Sequence, residues 1–557
     1  MDNNHPRTTL SGLARDLDLP PRFAALSSGE RLRAILDLRD PGRLVRSLRP
    51  DDLYFLLTGI GMGDAHDLLI YATPEQRQAV VDLDAWSGWH YQPQRLDQML
   101  SLALGVSIDF AMSLVRDMDG ELMALHLFGR ATVTLVREEE DTPTALDHSF
   151  MSPDNVFMVS CRDPDDVEAI RKLLDVLYAV GVQFAQGIIL AGMRDTVASL
   201  ENLAFHFRDN RLQDLGFAPF DERFELWEPY DTTDLKARLD RDEESGPARH
   251  RDDQGKERPL ALTLQDSDGG LFFWKAASLL GDRPELSELV GNLLFLVNRV
   301  LSARAEDLSQ DRVWEKAASH AATMLSLGLE HLAEGNPERA SQYLLKDSPQ
   351  AFYRAGIEYL RPLNVAAIRV VRDVGGLHRL SILGQARAET VKAALVFPPQ
   401  MWTGPETDGS DSRRDFITRD EVDRALGTVT GAGNVLTFAT VDLGFRFDTR
   451  VAGMGPRGAP TLATVLATAW ARQVLQGRPS TDPLSGEEIR DLLAAAFQDG
   501  VIRPGLRVIG MDVTPEVATF IEEMLDTVEE TLGHLDPSRP LETRFLGNVL
   551  LVGNDEP

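Results

Sequence analysis

From Leu32 to Val136 apolar side chains recur at spacings of three and four, as in Leu53, Leu56, Leu57 and Ile60, or Leu96, Met99, Leu100 and Ala103. That period marks one face of an α-helix, so the segment reads as a succession of short amphipathic helices. The pattern also returns on itself. Gly59-Ile60, Ala65, Leu68-Leu69 and Glu75 recur 46 residues later as Gly105-Val106, Ala111, Leu114-Val115 and Glu121. Such a period is typical of stacked helix pairs, each too small to bury its own apolar stripe. Start signals sit inside the repeat. Thr73-Pro74-Glu75-Gln76 offers a hydroxyl cap, a proline where a missing N–H costs nothing and a Gln that can reach back to the cap, so a helix is predicted from Pro74. In the second copy Asp119 and Glu121 take the cap and first-turn places, where carboxylates favour the positive end of the helix dipole.

The pattern breaks at the acidic run Glu138 to Asp141 and Thr142-Pro143, a domain boundary that gives a first block of residues 1–145. A second helical block, 146–240, carries the stripe Val167, Ile170, Leu173, Leu174 and Leu177 behind Asp165, Asp166 and Glu168. Residues 241–259 hold almost nothing apolar and read as a charged mobile linker. In a third block, 260–363, Trp314 to Leu332 runs into Gly335-Asn336-Pro337 and Glu338-Arg339-Ala340. Gly328 and Ala340 flank the turn as small residues, which predicts a closely packed, tetratricopeptide-like helical hairpin. The last block, 364–557, has capping signals at Thr418 to Glu421 and Ser485 to Glu488, a polar loop from Trp402 to Arg414, and a Val-, Thr- and Phe-rich stretch, Asn434 to Phe447, that predicts a minor β-hairpin. The expected fold is all-α: a multi-block, superhelical array of helix-pair repeats with that single hairpin.

At 557 residues the chain is long enough for three or four domains of roughly 150 residues each. Its one cysteine, Cys161, excludes an internal disulfide and a multi-cysteine zinc site and fits a reducing, cytoplasmic compartment. Met1 to Arg7 carries no secretory pattern, and the most apolar window, Leu173 to Met193, is interrupted by Asp175, Gln183 and Gln186, so it is expected in a protein core and not in a membrane. A formal net charge of −30 repels phosphate backbones and anionic lipid, so nucleic-acid binding is not expected.

Motifs that carry chemistry are scarce. Gly453-Met454-Gly455-Pro456-Arg457-Gly458 matches a dinucleotide fingerprint only as a string, without the strand before it or the acidic residue about 20 positions on. His320 and His331 lie eleven residues apart and share a helix face only if the helix between them is unbroken. Arg162, beside Cys161, is a candidate to lower the thiol pKa. Two aromatic groups stand out, Trp86, Trp89 and Tyr91 after the first repeat, and Phe217, Phe220, Phe224, Trp227 and Tyr230 in the second block. At that density they either complete a core or anchor a partner, which makes Trp86, Trp89, Tyr91, Phe217, Phe220 and Trp227 the candidate interaction surface.

The segments Arg208 to Phe217, Leu327 to Glu330 with Gly335, Glu338-Arg339-Ala340 and Phe352 to Gly356 together resemble a family of large bacterial helical proteins, a domain of unknown function. That resemblance implies helical architecture and brings no catalytic motif. Residues from about Arg43 to Arg137 separately resemble the cytosolic N-terminal domain of magnesium transporters and, more distantly, the helical repeats of flagellar motor-switch proteins. The transporter resemblance implies acidic surfaces that sense magnesium, with Asp51, Asp52, Asp64, Asp82 and Asp84 as candidates by residue type. The expected function is a cytoplasmic, non-enzymatic interaction scaffold or adaptor with protein partners, no cofactor and no membrane insertion. A magnesium- or small-ligand-responsive regulator and an enzyme of unrecognised type are the alternatives.

Overall fold

Thr73 accepts a hydrogen bond from the Gln76 backbone N–H, and the Gln76 side chain accepts one from Thr73 N, so helix Pro74–Asp84 begins with the reciprocal cap its sequence spells. Ser485 and Glu488 do the same for helix Gly486–Ala496, and Thr461 caps helix Leu462–Gln476. Each such cap contributes about 1 kcal/mol. These helices belong to a computed structural model that describes residues 26–551 apart from 27, 137–147, 242–270, 281–283, 305–306, 311, 406–411, 448–459 and 538–547. The chain is predominantly α-helical and divides into two compact units, Met1–Gly356 and Ile357–Pro557, the division falling within helix Pro349–Val374. The acidic run 138–141, residues 242–259 of the charged segment and the Gly453 loop lie outside the described residues.

In the N-terminal unit the helices Pro50–Ile60, Met62–Leu69 and Pro74–Asp84 are followed by Pro93–Val106, Ile108–Asp117 and Gly120–Phe128. Ile60 and Val106 end helices, while Met62 with Ile108 and Pro74 with Gly120 begin them, each pair with the offset read in the sequence. Ala65, Leu68 and Leu69 are buried, as are Ala111, Leu114 and Val115 in the same places of the second set. Each set holds a third helix beyond the expected pair. The second start is capped differently from its expectation: Asp119 makes no side-chain cap bond, and its carboxylate pairs with Arg211 at 2.7 Å.

Strands interrupt this unit where helices were expected. Ala131–Leu135 and Ser149–Met151 pair antiparallel on either side of Phe157–Cys161. Ala131 and Val133 are buried and Thr132 and Thr134 exposed, the two-residue period of a half-covered strand. Cys161 is buried in the central strand; burial pushes its thiol pKa up, and Arg162, the expected activator, donates instead to the carbonyls of Gly129 and Phe128.

Helix Val313–Leu332 runs unbroken from His320 to His331. His320 is buried, its Nε2 3.2 Å from the Tyr353 hydroxyl. Gly328 marks a close approach, as expected, but its counterpart is Gly356 in helix Pro349–Val374, not Ala340. Ala340 is buried in the short helix Pro337–Tyr343 between them.

In the C-terminal unit the expected hairpin at 434–447 is replaced by the end of helix Arg419–Thr437 and a π-helical turn, Phe438–Asp442. Ala432, Val435, Leu436 and Ala439 are buried at helical spacing, and the Thr437 and Thr440 hydroxyls donate back to the carbonyls of Gly433 and Leu436. Packing of that face overrides the β preference of Val and Thr. Trp470 lies fully buried on helix Leu462–Gln476 and donates from Nε1 to the Leu506 carbonyl at 2.7 Å. Among the described residues no helix is long and apolar enough to cross a membrane.

Candidate functional site

The hairpin Trp86–Ser87 and His90–Tyr91 turns through Gly88, whose φ of 60° is the left-handed value demanded at the first position of a two-residue loop. Its register sets Trp86 opposite Tyr91, with ring centroids 5.3 Å apart. Helix Val197–Asp214 contributes Phe205, Arg208, Asp209 and Leu212, one face by their spacing. The segment after it brings Phe217, Phe220 and Arg223, and helix Pro284–Arg304 brings Leu301 and Ser302. Together these side chains wall a small pocket, open to solvent on one side, with a cavity volume of about 80 Å³.

Two groups of aromatics that lie more than a hundred residues apart in sequence therefore meet. Trp86, Phe217 and Phe220 line the pocket. Trp89, 52% exposed, stands at its rim with its ring 5.1 Å from that of Phe220. Tyr91 lies against Trp86 but turns its hydroxyl to His126, and Trp227 packs on Phe224 outside the pocket. Sequence reasoning missed Phe205, Arg208, Asp209, Arg223 and Ser302, although the spacing of the first three along one helix was a readable signal.

Buried charge holds the floor in place. Arg208 donates from Nε to the Asp82 carbonyl at 2.6 Å, and Arg211 donates from Nε and Nη2 to the Asp82 carboxylate at 2.7 and 2.9 Å. Burial opposes charge on Arg211, yet Asp82 and Asp119 raise its pKa overall; burial likewise pushes the Asp82 carboxyl up against the pull of the arginines. Behind the pocket Asp51 accepts from Arg49 Nε at 3.0 Å and from Asn298 Nδ2 at 2.7 Å. Asp84 is raised by burial and faces the Tyr54 hydroxyl, while Asp307 takes a bidentate pair from Arg95. Three of the five candidate magnesium residues, Asp51, Asp82 and Asp84, thus have protein donors, and no group of three His, Cys, Asp or Glu among the described residues is arranged to hold a metal ion.

The hydrogen-bond inventory of the pocket wall is one-sided. Arg208 is buried and, among the described residues, makes no hydrogen bond beyond its Nε, so both Nη groups are unused there; burial holds its pKa down to about 10, still charged at neutral pH. Arg223 lies over the Phe220 and Phe224 rings at 4.2 and 4.6 Å with Nε buried and unpartnered, and Trp86 Nε1 is buried without a partner as well. The side-chain acceptors of the wall, Asp209 and Ser302, each already have a partner. Asp209 takes the Phe220 backbone N–H and Gln213 Nε2, and Ser302 Oγ accepts from Ala218 N while donating to the Asn298 carbonyl. Unused donors beside aromatic faces suit an acceptor-rich ligand with a flat body.

This architecture defines a large helical protein with a polar-floored aromatic pocket in its N-terminal unit. Residues 20–552 match the family of unknown function DUF6178, and the chain belongs to that family. No curated protein and no solved structure matches the chain, so the magnesium-transporter resemblance gains nothing from these comparisons.

Proposed function

We propose that this chain is a non-enzymatic binding protein whose N-terminal unit recognises a small ligand in the pocket between Trp86 and Arg208. The observation that carries the reading is Arg208, which lines the pocket beside Trp86, Phe205 and Phe220 and, among the described residues, hydrogen-bonds through Nε alone. The neighbouring carboxylates Asp82 and Asp51 are committed to arginines, which favours binding over proton transfer.

A second reading, an adaptor for a protein partner, is favoured by Trp89 and Phe224, 52% and 50% exposed near the pocket mouth. The ligand then regulates the partner surface beside it. A reducing, cytoplasmic location belongs to the same proposal and rests on the single unpaired Cys161. The test is a thermal-shift screen of the full chain against small metabolites, paired with partner capture by wild type and by Phe220→Ala. A ligand-induced rise in Tm that Phe220→Ala lacks supports the first reading, since a ligand of the native state must stabilise it. Loss of a stoichiometric partner in the variant, without any ligand shift, supports the second. Variant and wild type that behave identically in both assays overturn the pocket as a site.

A further inference from the structure

Arg208, Arg223 and Asp209 are the charged groups lining the pocket, and two guanidinium groups against one carboxylate leave one positive charge. Among the described residues the two Nη groups of Arg208 make no hydrogen bond, and Nε of Arg223 and Nε1 of Trp86 lie buried behind the wall without a partner. The flat faces of Trp86, Phe205 and Phe220 stand around them, with Trp86 to Phe205 at 6.0 Å and Phe205 to Phe220 at 6.4 Å between ring centroids.

We propose that this pocket binds a small aromatic monocarboxylate, its two oxygens taken by the paired Nη groups of Arg208 and its ring seated among Trp86, Phe205 and Phe220. The inference rests on reading the pocket as a binding site and names its ligand. A guanidinium fork matches the two oxygens of a carboxylate, and Nε, tied to the Asp82 carbonyl at 2.6 Å, fixes the plane of that fork before the ligand arrives. A single positive charge suits a monoanion. A phosphate dianion would bring a second negative charge beside Asp209, with no further cation to meet it. The formal charge of −30 on the whole chain works against an acidic macromolecule approaching broadly, whereas a small anion meets the local field within a screening length of about 8 Å. The arginine over Phe220 and Phe224 adds a cationic edge to the ring site.

Benzoate is the direct probe, titrated into the full chain by calorimetry and by tryptophan fluorescence, since Trp86 and Trp89 flank the site. Benzamide, the same shape without charge, inorganic phosphate, and a short peptide ending in a free phenylalanine carboxylate are the comparators. The expected result is saturable one-to-one binding of benzoate, at least about tenfold weaker binding of benzamide, and none of phosphate. Arg208→Lys, which keeps the charge and loses the fork, should weaken benzoate by about tenfold. Should that variant misfold by circular dichroism, Arg223→Gln serves instead, because Arg223 makes no hydrogen bond among the described residues; it too should weaken benzoate. Benzamide binding as tightly as benzoate overturns the carboxylate inference and leaves the pocket standing. Phosphate or the peptide binding more tightly than benzoate overturns the small aromatic acid as the ligand. No benzoate binding at any concentration the protein tolerates overturns the inference outright, while the pocket reading then stands or falls on Phe220→Ala.

Discussion

Gly328 and Gly356 bring two helices into backbone contact: a Cβ on Gly328 would sit 2.0 Å from the Phe352 carbonyl oxygen, and one on Gly356 would sit 2.0 Å from that of Met324. The obstacles are main-chain atoms, which cannot rotate aside. Alanine in place of either glycine gains up to about 1 kcal/mol of helix propensity but forces the helices apart, an overpacking cost of about 3 kcal/mol. Gly328→Ala and Gly356→Ala are each expected to destabilise by about 2 kcal/mol net in denaturant titration. A stabilised alanine variant would show that the helices do not touch.

Gln76 supplies a second test, because its side chain does more than close a cap. Its Oε1 accepts from Thr73 N at 2.9 Å, while Nε2 donates to the carbonyls of Val45 and Leu48 at 2.7 and 2.8 Å, all in a buried setting. Glutamate is equally good at the third position of a capping box, so local rules make Gln76→Glu neutral. The structure makes it costly, since a carboxylate would face two carbonyls without a donor. We expect a loss of about 2–3 kcal/mol, read as a lowered denaturation midpoint.

Those two positions show what was legible. Capping at Thr73 and Ser485, the offset between Met62 and Ile108, and the buried Ala65 and Ala111 follow from neighbours in sequence, and the text of the chain carries them. The partner of Gly328, the second duty of Gln76 and the exchange of Asp119 from cap to ion pair depend on residues far away in sequence, which spacing cannot reveal. The strand Ala131–Leu135 was readable in its alternation but lay beside strong helices, and Asn434 to Phe447 was misread because β-prone residue types masked a helical spacing. In the pocket the aromatics were legible and the arginines were not: Arg208 acquires its role only when folding places it beside Trp86, with a cation–ring distance of 5.5 Å.

A buried histidine sets the acid limit of the N-terminal unit. His126 lies between Tyr91, whose hydroxyl is 2.6 Å from Nδ1, and Asp97, 2.9 Å from Nε2, with Arg130 and Asp166 completing the cluster. Nε2 also lies 2.5 Å from Arg130 Nη2, so the ring tautomer decides whether Nε2 accepts from Arg130 or donates to Asp97. Burial, aided by Arg130, lowers the His126 pKa from 6.5, so the ring is neutral at pH 7 although it lies close enough to Asp97 for an ion pair. Below pH 6.5 the unfolded chain takes a proton that the native histidine refuses, and stability falls. Burial of Asp97 acts in the opposite sense to its bonds with His126 and Arg130, which win and hold it at about 2, so a further loss comes as pH drops from 3.8 toward that value. His126→Gln lowers stability at every pH but should flatten its slope between about pH 6.5 and 5; an unchanged slope refutes the assignment.

Buried and exposed ion pairs should separate cleanly. Asp82 is 1% exposed, and Asp82→Ala leaves Arg211 with Asp119 alone, an expected cost of about 3 kcal/mol. Arg507 pairs at the surface with Glu522 at 3.2 Å and Glu529 at 3.0 Å, and Glu522→Ala should change stability by no more than about 0.5–1 kcal/mol. Equal effects in the two variants, measured by denaturant titration, would contradict the burial on which the pocket floor depends.

Hydrogen–deuterium exchange on the full chain, with and without saturating benzoate, puts the pocket itself to the test. The account predicts slower exchange in the peptides spanning residues 205–212 and 217–223 and around Trp86. Exchange there that is unchanged by a ligand bound elsewhere on the chain would contradict it.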